Sequence, residues 1–139
     1  MIKTFRGLIG DDAQDTINLH TNDGKTGYRI VKLSVIGIDP RTVNAEQMLK
    51  IYKVDQGGTQ TSTVDFSDQT LLGCAYYESE NTASTTEGIT IIFDREIFNQ
   101  DIYITNYGSS SMNYYLELEQ ISLDLNESTV ATLQSIRNA

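Results

Sequence analysis

The closing run of the chain, Tyr114-Tyr115-Leu116-Glu117-Leu118-Glu119-Gln120-Ile121-Ser122-Leu123-Asp124-Leu125, constrains the fold more than any other segment. Tyr114, Leu116 and Leu118 are apolar on even positions, whereas Ile121, Leu123 and Leu125 are apolar on odd ones. Side chains of a strand alternate faces with a period of two, so a steady phase would leave half of these groups in water. A bulge, or a strand that crosses from one packed sheet to another, resolves the conflict. The run therefore predicts a curved, two-layered β-structure.

The rest of the chain punctuates in the same way. Strands are expected over Ile2–Ile9, Thr16–Thr21, Tyr28–Ile38, Gln47–Val54, Thr70–Tyr77, Gly88–Asp94, Asp101–Asn106 and Tyr114–Leu125. Turn chemistry separates them: Gly10-Asp11-Asp12, Asn22-Asp23-Gly24-Lys25, the lone Pro40, Gln56-Gly57-Gly58 and Asp65-Phe66-Ser67-Asp68. The Asp23-Gly24 pair between two apolar alternations predicts a hairpin joining the second and third strands. Glu78–Glu87 is polar and reads as an exposed loop. One helix is expected, over 126–137, with Asn126 or Ser128 as its N-cap and a thin stripe of Val130, Leu133 and Ile136. The expected fold is all-β: one domain over 1–139, a jelly-roll-like antiparallel sandwich of about eight strands with a short C-terminal helix.

A length of 139 residues suits one core, not two. The formal charge of −9, with no run of basic residues, argues against a phosphate-binding surface, so no nucleic-acid partner is expected. No apolar run approaches the ~20 residues of a membrane-spanning helix, and Met1–Arg6 lacks the apolar core of a secretory leader. Cys74, the single cysteine, lies in the apolar stretch Leu71–Ala75 and reads as a small buried hydrophobe.

Chemistry finds little footing. Asp11, Asp12 and Asp15 form the densest carboxylate cluster, but their spacing does not match a calcium-binding EF-hand loop, and a solvated acidic turn is expected. Asp65 and Asp68 read the same way. His20 is the only histidine, so a multi-histidine metal site within one chain is ruled out, and nothing places a serine or Cys74 beside it. The chain has no tryptophan to stack on a sugar ring. The glycines make neither a P-loop nor a dinucleotide fingerprint. No catalytic residue, metal or cofactor is expected. Tyr76-Tyr77 and Tyr114-Tyr115 should each turn one ring inward and one outward. With Tyr77 and Tyr115 taken as the outward members, they join Ile2, Phe5, Leu8, Val130, Leu133 and Ile136 as expected interface residues.

Four blocks resemble small virion structural proteins, of the capsid decoration or cement kind, of marine tailed bacteriophages. They are Met1–Leu8, Thr21–Lys32, Asn99–Thr105, and Asn113–Leu125 with its continuation Asn126–Leu133. The resemblance covers most of the chain and carries no catalytic motif. It implies a component of a virus particle, made in the host cytoplasm without a secretion signal. Such a protein would bind copies of itself, by analogy as a trimer, and the major capsid protein or another virion protein. The alternatives are a tail, collar or fibre-anchoring component, and a surface module binding carbohydrate or a receptor through the Glu78–Glu87 loop and outward tyrosines.

Overall fold

A computed structural model describes residues 1–41, 44–79 and 86–137. Eight strands and one helix follow in order: β1 Ile2–Ile9, β2 Ala13–Ile17, β3 Thr26–Gly37, β4 Ala45–Tyr52, β5 Leu71–Ser79, β6 Thr86–Ile92, β7 Ile102–Gly108, β8 Met112–Ser122 and α1 Leu125–Arg137. They build a three-stranded sheet, β1-β8-β3, and a five-stranded sheet, β2-β7-β4-β5-β6. Every ladder is antiparallel. The pairings β1 with β8, β2 with β7 and β4 with β5 are those of a long hairpin wrapped into two layers, the jelly-roll arrangement. The fourth pair of such a wrap would join β3 to β6, but here β6 hydrogen-bonds to β5 instead. The protein is an all-β antiparallel sandwich.

The core lies between the sheets. Ile9, Ile30, Leu33, Met112, Leu116 and Leu118 come from one layer; Ile17, Leu49, Ile51, Leu72, Ile102 and Ile104 come from the other. At one end Tyr28 stacks on Phe98, with ring centroids 6.4 Å apart, and the two residues exchange backbone hydrogen bonds of 2.8 and 3.0 Å.

The phase change expected within Tyr114–Leu125 does not occur there. β8 keeps one phase: Met112, Tyr114, Leu116 and Leu118 all point inward. The bulge sits in its neighbour β3, where Ile30 opposes Leu118 but Lys32 already opposes Glu117. Val31 is the extra residue, and the buried side chains of β3 switch from Tyr28 and Ile30 to Leu33 across it. β8 simply ends at Ser122. Leu123 is buried beyond the strand, its backbone N–H donating to the Lys25 carbonyl at 2.8 Å. It packs so closely that a Cβ on Gly27 would lie 2.9 Å from Leu123 Cδ1, so any larger residue there would have to displace the Leu123 side chain.

Two further expectations are corrected. β2 begins at Ala13, directly after the Asp11-Asp12 turn, and it pairs with β7. It does not form a hairpin with β3, because the two strands lie in different sheets. The Asp23-Gly24 turn is thus a crossover between layers: only Gly24 adopts a positive φ, and Asp23 Oδ1 accepts from the Lys25 N–H at 3.0 Å. The helix N-cap is Asp124. Its carboxylate accepts from the Glu127 N–H at 2.7 Å, and Glu127 Oε1 accepts from the Asp124 N–H at 3.2 Å, a reciprocal capping box.

Candidate interaction surfaces

The two sheets present their outer faces very differently. The segment 53–70 folds over the outside of the five-stranded sheet and buries Lys50 and Cys74, which face each other across β4 and β5. Lys50 Nζ donates to the Thr63 carbonyl at 2.7 Å and to Thr61 Oγ1 at 3.4 Å, and lies 5.5 Å from the centre of the Tyr52 ring. Burial pushes the Lys50 amine down, pushes the Cys74 thiol up, and pushes Tyr52 up to about 12. Cys74 is therefore a packed hydrophobe with little thiolate character.

The outer face of the three-stranded sheet stays open. Cross-strand registers run Arg6–Tyr115–Ser34 and Leu8–Asn113–Ile36, and these side chains edge a groove of about 670 Å³. Leu8, Ile36 and Ile38 are each about half exposed at the end of this face. Tyr115 is held in place by its hydroxyl, which donates to Glu117 Oε2 at 2.8 Å, and by Lys32 Nζ 5.8 Å above its ring. Further along, Arg29 bridges to Glu119 at 3.1 Å. The outward-facing charges of β1, β3 and β8 are Arg6, Arg29 and Lys32 against Glu117 and Glu119, a net of +1 in a chain of net −9.

The second exposed apolar patch is on α1, and it arises from how the helix docks. Ser128 and Ala131 face the sandwich and are buried, while Val130 and Leu133 are 54% and 58% exposed. The clamp is Asn99, itself fully buried. Its Nδ2 donates to the Gly24 carbonyl at 2.9 Å, to Thr132 Oγ1 at 2.9 Å and to the Ser128 carbonyl at 3.3 Å. The two described members of the apolar stripe, Val130 and Leu133, therefore point outward, where an interface residue would stand. Beside it, Ile97, Leu123, Val130 and Ala131 line a groove of about 420 Å³ that Glu96 and Glu127 flank.

The expected interface residues sort accordingly. Ile2 and Leu8 are exposed on β1, Val130 and Leu133 are exposed on α1, and Tyr115 is half-buried on the open sheet face. Phe5 points inward and packs against the core. Tyr77 is a correction: it is only 4% exposed and belongs to the core, against Gly37, so Tyr76 is the outward member of that pair. Of Tyr114 and Tyr115, Tyr114 is the inward ring; burial beside Asp15 pushes it up to about 12. The side chain of Ile136 and the tip of the Glu78–Glu87 loop, residues 80–85, lie outside the described residues.

The candidate chemical groups serve as loop fasteners. Asp11 Oδ1 accepts from the Gly108 N–H at 2.9 Å, Asp12 Oδ1 from the Gln60 N–H at 2.6 Å, and Asp15 Oδ2 from the Tyr114 hydroxyl at 3.3 Å. Asp65 and Asp68 close turns: Asp65 accepts from Ser67 and Asp68 from Thr70. Among the described residues no three His, Cys, Asp or Glu side chains converge as metal ligands. His20 Nδ1–H donates to Asp101 Oδ1 at 2.7 Å, on a carboxylate that also accepts from the Leu19 and His20 N–H groups. Burial works against charge on Asp101, but these hydrogen bonds outweigh it and hold the carboxyl below its usual range. The pair ties the end of β2 to the start of β7.

No protein-family model matches this chain, and no curated protein is similar to it. No helix among the described residues is long and apolar enough to cross a membrane.

Proposed function

We propose that this protein is a non-enzymatic structural component of a virus particle, a decoration or cement protein that binds the assembled shell and stabilises it by repeated contacts. The observation that carries the reading is the placement of the exposed apolar groups. Leu8, Ile36, Val130 and Leu133 stand on regular β and α elements beside shallow grooves, as adhesive surfaces require, and not around an enclosed cleft. The two-layered wrap supports it by analogy, since jelly-roll sandwiches recur in capsid proteins. So does the likeness of the Met1–Leu8, Thr21–Lys32, Asn99–Thr105 and Asn113–Leu133 blocks to small phage virion proteins.

The test is the copy number and stability of purified particles. A decoration protein is expected in numbers comparable to the shell subunit, and particles lacking it should release their genome at a lower temperature or milder osmotic shock. Finding only a ring's worth of copies per particle would move the protein to the tail or collar. Particles equally robust without it would refute stabilisation.

A further inference from the structure

The two open patches sit at opposite ends of the molecule and carry opposite charge. The sheet patch, Leu8, Ile36 and Ile38, lies where β3 ends; the helix patch, Ile97, Val130 and Leu133, lies where β3 begins, because Phe98 bridges to Tyr28. Ten residues of strand separate the two ends, roughly 30 Å at ~3.3 Å per residue. One chain therefore has no means of bringing its own two patches together.

Arg6 borders the sheet patch, with Lys32 two residue pairs further along the same face, and no described residue forms an ion pair with either. The helix patch is bordered by Glu96, Asp124 and Glu127; Arg95 lies beside it and Lys53 pairs with Glu96 at 3.2 Å, which leaves Asp124 and Glu127 without an ion pair among the described residues. A contact of like with like, sheet patch on sheet patch, would set Arg6 against Arg6. Helix patch on helix patch would set acid against acid. Only the unlike pairing buries both apolar surfaces and matches the charges.

We infer that copies of this chain associate head to tail, the α1 patch of one seated on the open face of the three-stranded sheet of the next. Such a contact is heterologous: it closes into a ring if the rotation between copies permits and extends as a filament if it does not. The Asn99 clamp is what makes it available, because it holds the helix by its small polar face and leaves Val130 and Leu133 outward. The contact is a property of the isolated protein and is measured without any particle. Its failure would leave the shell-binding role standing, and failure of that role would leave the contact standing.

The experiment is sedimentation of the purified chain and of two surface variants, Leu8→Asp and Leu133→Asp, with Arg6→Glu as a second sheet-patch variant that changes only an exposed charge. The wild type is expected as an oligomer whose mass falls as salt is raised. Each variant alone should sediment at the 15.5 kDa of one chain. Each keeps one intact patch, so mixing Leu8→Asp with Leu133→Asp should restore a species of twice that mass and nothing larger. A monomeric wild type, a Leu133→Asp protein as large as the wild type, or a mixture that stays monomeric would each overturn the inference. A circular-dichroism spectrum with the wild type's β signal and a cooperative melt secures that the variants are folded, at a midpoint lowered only by the lost association.

Discussion

The sandwich and its helix are held by opposite means. Between the sheets, fully buried Leu49, Ile51, Ile102, Ile104, Leu116 and Leu118 remove apolar surface from water, at about 25 cal/mol per Å². Beneath α1 the buried groups among the described side chains are Ser128, Ala131 and the Asn99 amide, and specificity comes from the two N–H groups of that amide, shared among three acceptors. An apolar interface tolerates sliding; a satisfied polar clamp fixes one orientation. The difference teaches why Val130 and Leu133 are to spare: the attachment of the helix does not use them.

The comparison can be broken first at the core. Leu116→Ala, in the centre of β8 and wholly buried, is expected to cost about 2–5 kcal/mol in urea unfolding, since transfer and cavity terms add. Asn99→Ala should cost less, roughly 1–3 kcal/mol, by removing the donor that the Gly24 carbonyl and Thr132 Oγ1 share. Its distinctive sign is local: amide exchange should quicken throughout α1 while the sheets stay protected. Uniform loosening, or none, would abolish the distinction drawn between the two regions. Asp124→Ala removes half of the capping box and should lower stability by ~1 kcal/mol, again with fraying confined to the first helical turn.

Acidification gives a smaller test on the sandwich side. Asp101 is held below the ordinary carboxylate range in the fold, so the unfolded chain binds more protons than the native one as pH drops. Its contribution is complete above the unfolded value of about 3.9 and disappears as pH falls through the native value. The thermal midpoint should therefore fall on acidification below about pH 4, and Asp101→Asn should show a shallower fall than the wild type. The smallest effect is expected at Val130→Ala, within ~0.5 kcal/mol for the monomer, because the side chain is already more than half exposed. A large loss there would mean that the helix is docked through its apolar stripe after all.

Much of this architecture was legible as pattern. Alternation located all eight strands, though the Thr16–Thr21 strand lies earlier, at Ala13–Ile17, because Ala13-Gln14-Asp15 has too little apolar contrast to show a period. A change of buried phase was readable in the wrong strand: Ile121, Leu123 and Leu125 imitate a bulge, but they belong to a strand end and a helix start. The true bulge, at Val31, hides in an apolar run where Ile30, Val31 and Leu33 permit either phase. Lys50 was invisible as a buried group, since in Leu49-Lys50-Ile51 it reads as the solvated side of a strand. No local signal announces that Thr61 and Thr63, 11 and 13 residues later, will cover it. The helix face was undecided for a related reason: helical spacing identifies the stripe of Val130 and Leu133, not which side a neighbour occupies.

Taken by itself, the sequence determined the class of the fold, the turns and the acidic balance, because each depends on a residue and its immediate neighbours. The tertiary structure alone decided that β2 and β3 part into different sheets, that Ile2 meets Glu119 across the length of the chain, and that Val130 and Leu133 face outward. A two-residue period tells each side chain which face it shares with its neighbours, but what covers that face is settled by packing between segments far apart in the chain.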